Sequence, residues 1–276
     1  MQGLSMSMTN NEPFKEKMTI SKIKKSKHVK KLTMITAYDA LFAKLFEQEV
    51  DMILVGDSLN MSFAGEPDTL SATLEQMIYH TKAVCNGAKS AFVICDMPFG
   101  SYINENEALQ NCIKVYAQTN AAAVKIEGGA DRAHIIKHLT SNSIAVMGHI
   151  GLMPQYVRSE GGYIVRGKTQ EDIEQLICDA KAVEKAGAFC IVLEGVKTQA
   201  ATQITQAVQI PVIGIGAGNV TDGQVLVWSD MLGFFESFKP KFVRRYLQGG
   251  ELVRNAVKEY CNDVQNSTFP SKEEEY

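Results

Sequence analysis

Four acidic side chains stand where short apolar runs end: Asp57 after MILVG, Asp96 after AFVIC, Glu127 after AAVKI and Glu194 after CIVL. One carboxylate just past a strand is ordinary. Four of them, from four strands, meet only if those strands share one sheet or barrel. Oxygen ligands gathered at one mouth are what a hard divalent cation requires. Carboxylates crowded together repel one another unless a cation lies among them. Mg2+ suits the set, because it takes oxygen ligands, few of them from protein, and keeps positions for water or substrate. These strand ends lack the several histidines or thiolates that favour zinc or iron. Two coplanar substrate oxygens, as in a 2-oxo acid, would chelate such an ion, which would polarise the keto group and stabilise an enolate.

Other side chains join them. Lys125 and Glu127 are two apart on one strand and share a face. Inside a barrel that pair is either an internal ion pair or part of the site, where Lys125 would add positive charge near the same oxygens. Glu194, not tied to a metal, reads as a candidate general base, or more plainly as a group that positions a neighbour. His149 reads as a core histidine with satisfied hydrogen bonds or as a substrate contact. Tyr38 and Asp39 end the first strand, and Ser58 follows Asp57. Gly214, Gly216 and Gly218 mark either a phosphate cradle or a close backbone approach to another ligand.

The elements that must position these residues alternate. Strands are predicted at 32–37, 52–55, 91–95, 122–126, 144–148, 189–193, 211–215 and 225–228. Most run nearly continuously apolar, as strands covered on both faces do. Helices are predicted at 40–50, with Leu41, Phe42, Leu45 and Phe46 on one face, and at 73–85. A cap at Asn104 with Glu107 opens a third, 170–186 runs from Thr169 to the stop at Gly187, and 199–208 is shorter. Residues 239–265 read as helices through Phe242, Tyr246, Leu252, Val253, Val257 and Tyr260. The alternation predicts a (β/α)8 TIM barrel with an N-terminal leading helix and C-terminal helices. A doubly wound sheet is the alternative. Against its dinucleotide-binding form, the glycines are spaced G-x-G-x-G and come late in the chain. The expected organisation is a flexible segment over 1–18, one barrel domain over 19–266 and a solvated tail over 267–276. The long loop from Gly151 to Lys168 falls after strand five, at the active face.

With 276 residues, 45% of them hydrophobic, the chain is long enough for one large core. A net charge of -3 gives no pull toward nucleic acid or anionic membrane. The chain holds no apolar stretch of ~18 residues and opens on no apolar signal region, so a cytoplasmic location is expected. The six cysteines include no CxxC pair and read as reduced thiols. The lysines of residues 15–31 come without arginine and read as a solvated leading helix around Ile20 and Ile23.

The segments ITAYDALFAKLF, ILVGDSLNM, TLEQMIYHTKAV, DMPFGSY, AVKIEGG, GHIGLMPQ, GGYIVRGKT and IPVIGIGAGNVTDGQVLV occur in this order. In them the chain resembles the ketopantoate hydroxymethyltransferase family from residue 19 to residue 270. The resemblance implies a TIM barrel that moves a hydroxymethyl group from 5,10-methylenetetrahydrofolate to 3-methyl-2-oxobutanoate, giving 2-dehydropantoate for pantothenate and coenzyme A synthesis. It implies Mg2+ at Asp57 and Asp96 with Glu127 close by, directly or through water. Asp57, Ser58, Asp96 and Lys125 match positions that contact the oxo acid, His149 one that lines the substrate site, and Glu194 the proton acceptor. Self-association, as a homodecamer, is also implied. Ser71, Ile164, Gly195, Trp228 and Ser229 depart from the family pattern outside these positions. A lyase of the isocitrate lyase and phosphoenolpyruvate mutase type is a rival, disfavoured because no Lys-Cys-Gly-His-type segment occurs. A non-catalytic metabolite-binding barrel would be expected to have lost one of the carboxylates.

Overall fold

The computed structural model describes residues 16–236 and 239–276. Eight short runs pair in parallel and close on themselves in chain order, forming a (β/α)8 barrel. They are β1 (Leu32–Thr36), β2 (Met52–Val55), β3 (Phe92–Asp96), β4 (Ala123–Glu127), β5 (Val146–Gly151), β6 (Cys190–Glu194), β7 (Val212–Ile215) and β8 (Gly223–Leu226). The helices among the described residues are α1 (Ile20–Lys25), α2 (Ala40–Phe46), α3 (Leu59–Ser62), α4 (Leu74–Gly87), α5 (Glu105–Gln118), α6 (Ala133–Ser141), α7 (Gln170–Lys185), α8 (Thr198–Ala207), α9 (Trp228–Met231) and α10 (Gly249–Gln265). No helix among the described residues is long and apolar enough to cross a membrane.

Two apolar layers follow from the strand period of two. Outward residues such as Ile53, Val93, Val124, Ile126, Ile191 and Leu193 pack under the helices. Inward residues such as Met34, Met52, Phe92, Ile94, Met147 and Ile213 fill the barrel. Ile23 of α1 and Met18 close the bottom of this inner layer. The buried Lys27 side chain binds the Asp222 carboxylate at 2.8 Å and the half-exposed Lys30 side chain binds Asp51 at 3.0 Å, so part of the lysine run anchors the segment after α1 to the barrel. Residues 1–15 of the expected leading segment lie outside the described residues.

The inward faces change character along their length. On β3 the series is Phe92, Ile94, Asp96; on β4 Ala123, Lys125, Glu127; on β5 Met147, His149; on β6 Cys190, Val192, Glu194. An apolar floor therefore carries an ionisable mouth. Register sets the mouth's neighbours: Asp96 lies beside Lys125, Glu127 beside His149, and Gly151 beside Glu194.

Several boundaries differ from the sequence reading. The last strand starts at Gly223, and Trp228 opens α9 instead of ending the strand. Its ring stacks 4.0 Å from Phe42, and the barrel needs only a Gly-Gln-Val-Leu run there. In α2, Leu41 and Leu45 are exposed, whereas Ala43 and Phe46 are buried. Adjacent helical positions lie ~100° apart, so Leu41 and Phe42 cannot both lie at the centre of one face. Phe42 and Phe46 pack inward. Residues 239–248 form no helix; Val243 is buried and the Phe242 ring lies against Gly216, so this stretch covers the β7 loop.

Candidate active site

Asp57 sits in the turn after β2. Its backbone N–H donates to Asp96 Oδ2 at 3.3 Å, and its Oδ2 accepts from Gln155 Nε2 at 2.9 Å. Lys125 Nζ lies 2.8 Å from Asp96 Oδ1, 3.5 Å from Glu127 Oε1 and 3.0 Å from His149 Nδ1. His149 Nδ1 is also 3.3 Å from Glu127 Oε1, while its Nε2 faces Leu152 O at 3.0 Å and Glu194 Oε2 at 3.4 Å. The imidazole thus stands between the acid–lysine cluster and Glu194. Asp57, Asp96, Lys125, Glu127 and His149 are all buried, whereas the Glu194 side chain is 21% exposed at the rim. Ser58 Oγ is 2.8 Å from Tyr38 Oη, so Ser58 borders the cluster through Tyr38 rather than through a carboxylate.

The electrostatics divide these groups. Burial, with Asp96 and Glu127 adding repulsion, holds Asp57 well above the usual carboxylate range. Burial also raises Asp96, against the pull of Lys125. Burial alone would raise Glu127, but His149 and Lys125 draw it down. Burial alone would lower Lys125, yet Asp96, Glu127 and Asp57 hold it above the usual lysine range. Glu194 is pushed up to about 7 by burial, with Glu127 and Asp96 assisting and His149 opposing. Three carboxyl groups therefore share one permanent ammonium, and a fourth is poised near neutrality.

The sequence profile of ketopantoate hydroxymethyltransferase matches residues 17–272. The chain belongs to the ketopantoate hydroxymethyltransferase family. A 3-methyl-2-oxobutanoate hydroxymethyltransferase of Aliarcobacter butzleri (strain RM4018) is 79% identical, over 95% of this chain and 97% of that one. The protein of the same name from Wolinella succinogenes is 59% identical, over 94% and 99%. Family membership makes the chain an enzyme, a transferase. Among solved structures, phosphonopyruvate hydrolase in complex with oxalate and Mg++ shares the fold, with a TM-score of 0.60 over 93% of each chain at 13% identity. 2,3-Dimethylmalate lyase, a PEP mutase/isocitrate lyase superfamily member, gives 0.57 at 15% identity, over 92% and 90%. The rival lyase group thus shares the barrel, while the sequence match lies with the hydroxymethyltransferases.

The donor set in this family member can be tested against a metal. Asp96 Oδ1 and Glu127 Oε1 are buried and, among the described residues, accept no hydrogen bond. Lys125 lies 2.8 Å and 3.5 Å from these two oxygens, and a carboxylate oxygen with two lone pairs can serve an ammonium and a cation together. Among the described residues no three Asp, Glu, His or Cys side chains converge as a complete cage. Zinc, which takes three or four protein ligands, does not fit. Mg2+, held through one or two carboxylates with water completing the shell, does.

One residue of the site has no ionisable group to draw attention. Gln155, in the 3-10 turn Pro154–Tyr156 of the long β5–α7 loop, is buried. Its Nε2 also donates to Met97 O at 3.0 Å, its backbone N–H donates to Glu127 Oε2 at 3.1 Å, and its Oε1 accepts from Tyr102 Oη. It pins the loop onto two carboxylates. The tetrapeptide Leu-Met-Pro-Gln was legible as a family segment, but a neutral amide 98 residues from Asp57 signals nothing by spacing. The same loop crosses the mouth, with Arg158 Nη2 bound to Asp68 Oδ2 at 3.2 Å. The late glycines answer to the chain itself. A Cβ on Gly214, Gly216 or Gly218 would stand 2.7 Å from Thr221 Oγ1, 2.9 Å from the Phe242 ring and 2.6 Å from Thr198 Oγ1. Their close approach is to protein side chains.

Proposed function

We propose that the protein transfers a hydroxymethyl group from 5,10-methylenetetrahydrofolate to 3-methyl-2-oxobutanoate, forming 2-dehydropantoate for pantothenate and coenzyme A synthesis in the cytoplasm. The reading rests on family membership, and on one feature of the mouth above all. Asp57, Asp96 and Lys125 gather on one side, and a carboxyl with its pKa near 7 stands apart on the other, held off by His149. A proton is taken best by a base whose pKa lies near the working pH.

Asp57 and Asp96 would hold Mg2+. Glu127, whose Oε1 faces Lys125 and His149 and whose Oε2 accepts from the Gln155 N–H, would stand beside the ion, directly or through water. Bound there, the ion would supply positive charge to the keto and carboxylate oxygens of the oxo acid. Lys125, fixed by Asp96, presents a second positive charge to the same oxygens, and Ser58 borders them. Glu194 takes the C3 proton. Water releases the one-carbon unit from the carrier at the formaldehyde level, its two hydrogens going to N5 and N10 of the departing tetrahydrofolate. The electron pair left on C3 forms the new C–C bond to that carbon, and the resulting alkoxide takes back the proton held by Glu194. His149, in contact with Lys125 and Glu194, keeps the base at the rim and lines the oxo-acid pocket.

Exchange of the oxo acid's C3 proton with deuterated solvent tests this reading, followed by NMR with and without Mg2+ and the folate. Wild-type protein is expected to exchange in a metal-dependent way, and Glu194→Gln to exchange at least ~100-fold more slowly with oxo-acid binding nearly unchanged. Equal exchange by Glu194→Gln removes Glu194 from the role of base. No metal-dependent exchange by the wild type removes the reaction.

A further inference from the structure

A second cavity adjoins the mouth. It encloses about 340 Å³ between the β3 and β5 loops and is lined by Phe99, Tyr102, Ile103, Arg132, Gln155 and Tyr156 among others. Gln155 belongs to both spaces, since it lines the cavity and its Nε2 holds Asp57 Oδ2 at 2.9 Å. A ligand seated in the cavity would therefore lie one side chain away from the carboxylate cluster.

The lining has a definite chemistry. Phe99 and Ile103 leave 55% and 65% of their surface exposed, although both are large and apolar. Exposed apolar side chains around a concavity mark a binding surface. Gly100 comes between them in sequence and lines the same cavity, with φ +81, and a Cβ there would meet no atom within 4 Å. The cavity thus has open room against the backbone. Arg132 supplies the charge. Among the described residues its polar contacts both use Nε, to Tyr156 Oη at 3.4 Å and to Asp131 Oδ2 at 3.6 Å. Its two terminal nitrogens are the fork that recognises a carboxylate. An aromatic and aliphatic slot ending in a guanidinium fits a flat ring that carries an acidic tail.

We propose that this cavity is the subsite for the aminobenzoyl-glutamate arm of the reduced folate, the ring lying against Phe99, Ile103 and Tyr156 and a glutamate carboxylate on Arg132. The assignment rests on the folate reading above. It also explains the geometry of delivery. N10 of the carrier is attached to the aminobenzoyl ring, so seating that ring beside Gln155 puts the N5–N10 carbon at the edge of the oxo-acid pocket.

Calorimetric titration of the full-length protein with tetrahydrofolate, which lacks the one-carbon unit, tests the proposal without turnover. Arg132→Glu and Ile103→Glu are expected to weaken binding at least ~10-fold, Arg132→Lys less, and 4-aminobenzoyl-glutamate is expected to compete for the wild-type site. Ile103 is 65% exposed, so its substitution keeps the fold even if Arg132→Glu disturbs the Asp131–Tyr156 contact; melting curves of each variant check this. Wild-type protein that binds tetrahydrofolate, with Ile103→Glu and Arg132→Lys binding equally well, overturns the subsite alone. Wild-type protein that binds the oxo acid but not tetrahydrofolate overturns the folate reading, and the subsite with it.

Discussion

Glu194 shows how far a single residue could be understood before its surroundings were known. Its place after an apolar run suggested a base, but spacing says nothing of proton affinity. The largely desolvated rim supplies that, lifting its pKa from 4.5 to about 7. The consequence for pH has a definite sign. Between about 4.5 and 7 the folded state holds a proton on Glu194 that the unfolded chain has released. This contribution to stability therefore falls as pH rises through that interval and is flat above it. Turnover runs the other way, because the base works deprotonated: the rate is expected to climb with pH and level off above about 7. A kcat profile already flat from pH 5.5 upward would contradict the shifted carboxyl. The acids and Lys125 were legible as charged residues at strand ends. Gln155 was not, because its role depends on a loop that folds back onto Asp57 and Glu127.

At the scale of elements, helix starts with a side-chain cap were legible, since their signals are local, whereas α6 and the start of α10 at Gly249, which have no such cap, were not. Thr73 forms a capping box with Gln76, and Asn104 and Thr169 accept from backbone N–H groups three residues on. The start of β8 at Gly223–Gln224 carried no apolar signal, and its strand exists because Leu32 and Ile213 offer it partners. The crossing from β5 into its loop is as dependent on context. Gly151 has φ +100, and a Cβ there would stand 2.3 Å from Glu194 O, the carbonyl that accepts from Leu152 N–H at 2.8 Å. Gly151→Ala is expected to cost about 2 kcal/mol, lower Tm by roughly 4–8 °C and reduce kcat by displacing the base. Gly161 provides the control, with φ +71 and no atom within 4 Å of a Cβ. Its alanine variant bears backbone strain without the clash. If the two variants melted together, the close approach at Gly151 would not be what demands glycine.

The whole molecule leaves one helix without a core of its own. α10 carries Leu252, Val253, Ala256, Val257, Tyr260 and Val264 at positions that recur every three to four residues, the stripe of a helix meant to be covered. Leu252, Val253, Val257, Tyr260 and Val264 are all exposed, and among the residues of α10 only Gly249 is buried. Phe269 extends the patch, lying 5.6 Å from the Tyr260 ring. Contiguous apolar surface of this kind marks an interaction site. A closed symmetric assembly of copies of the chain would cover the same stripe on every copy. Helical periodicity made the stripe visible in the sequence, while its lack of a partner became visible only once the barrel had closed without it. Sedimentation equilibrium of the full chain is expected to give an oligomer, a decamer in the fullest form of the reading, and the pair Val257→Asp with Tyr260→Asp to shift it toward monomer. The contact is apolar, so raising salt should leave it intact, whereas an assembly held by charge would loosen. A wild-type monomer, or an oligomer that both aspartates leave unchanged, would show that α10 is not the surface through which the copies meet.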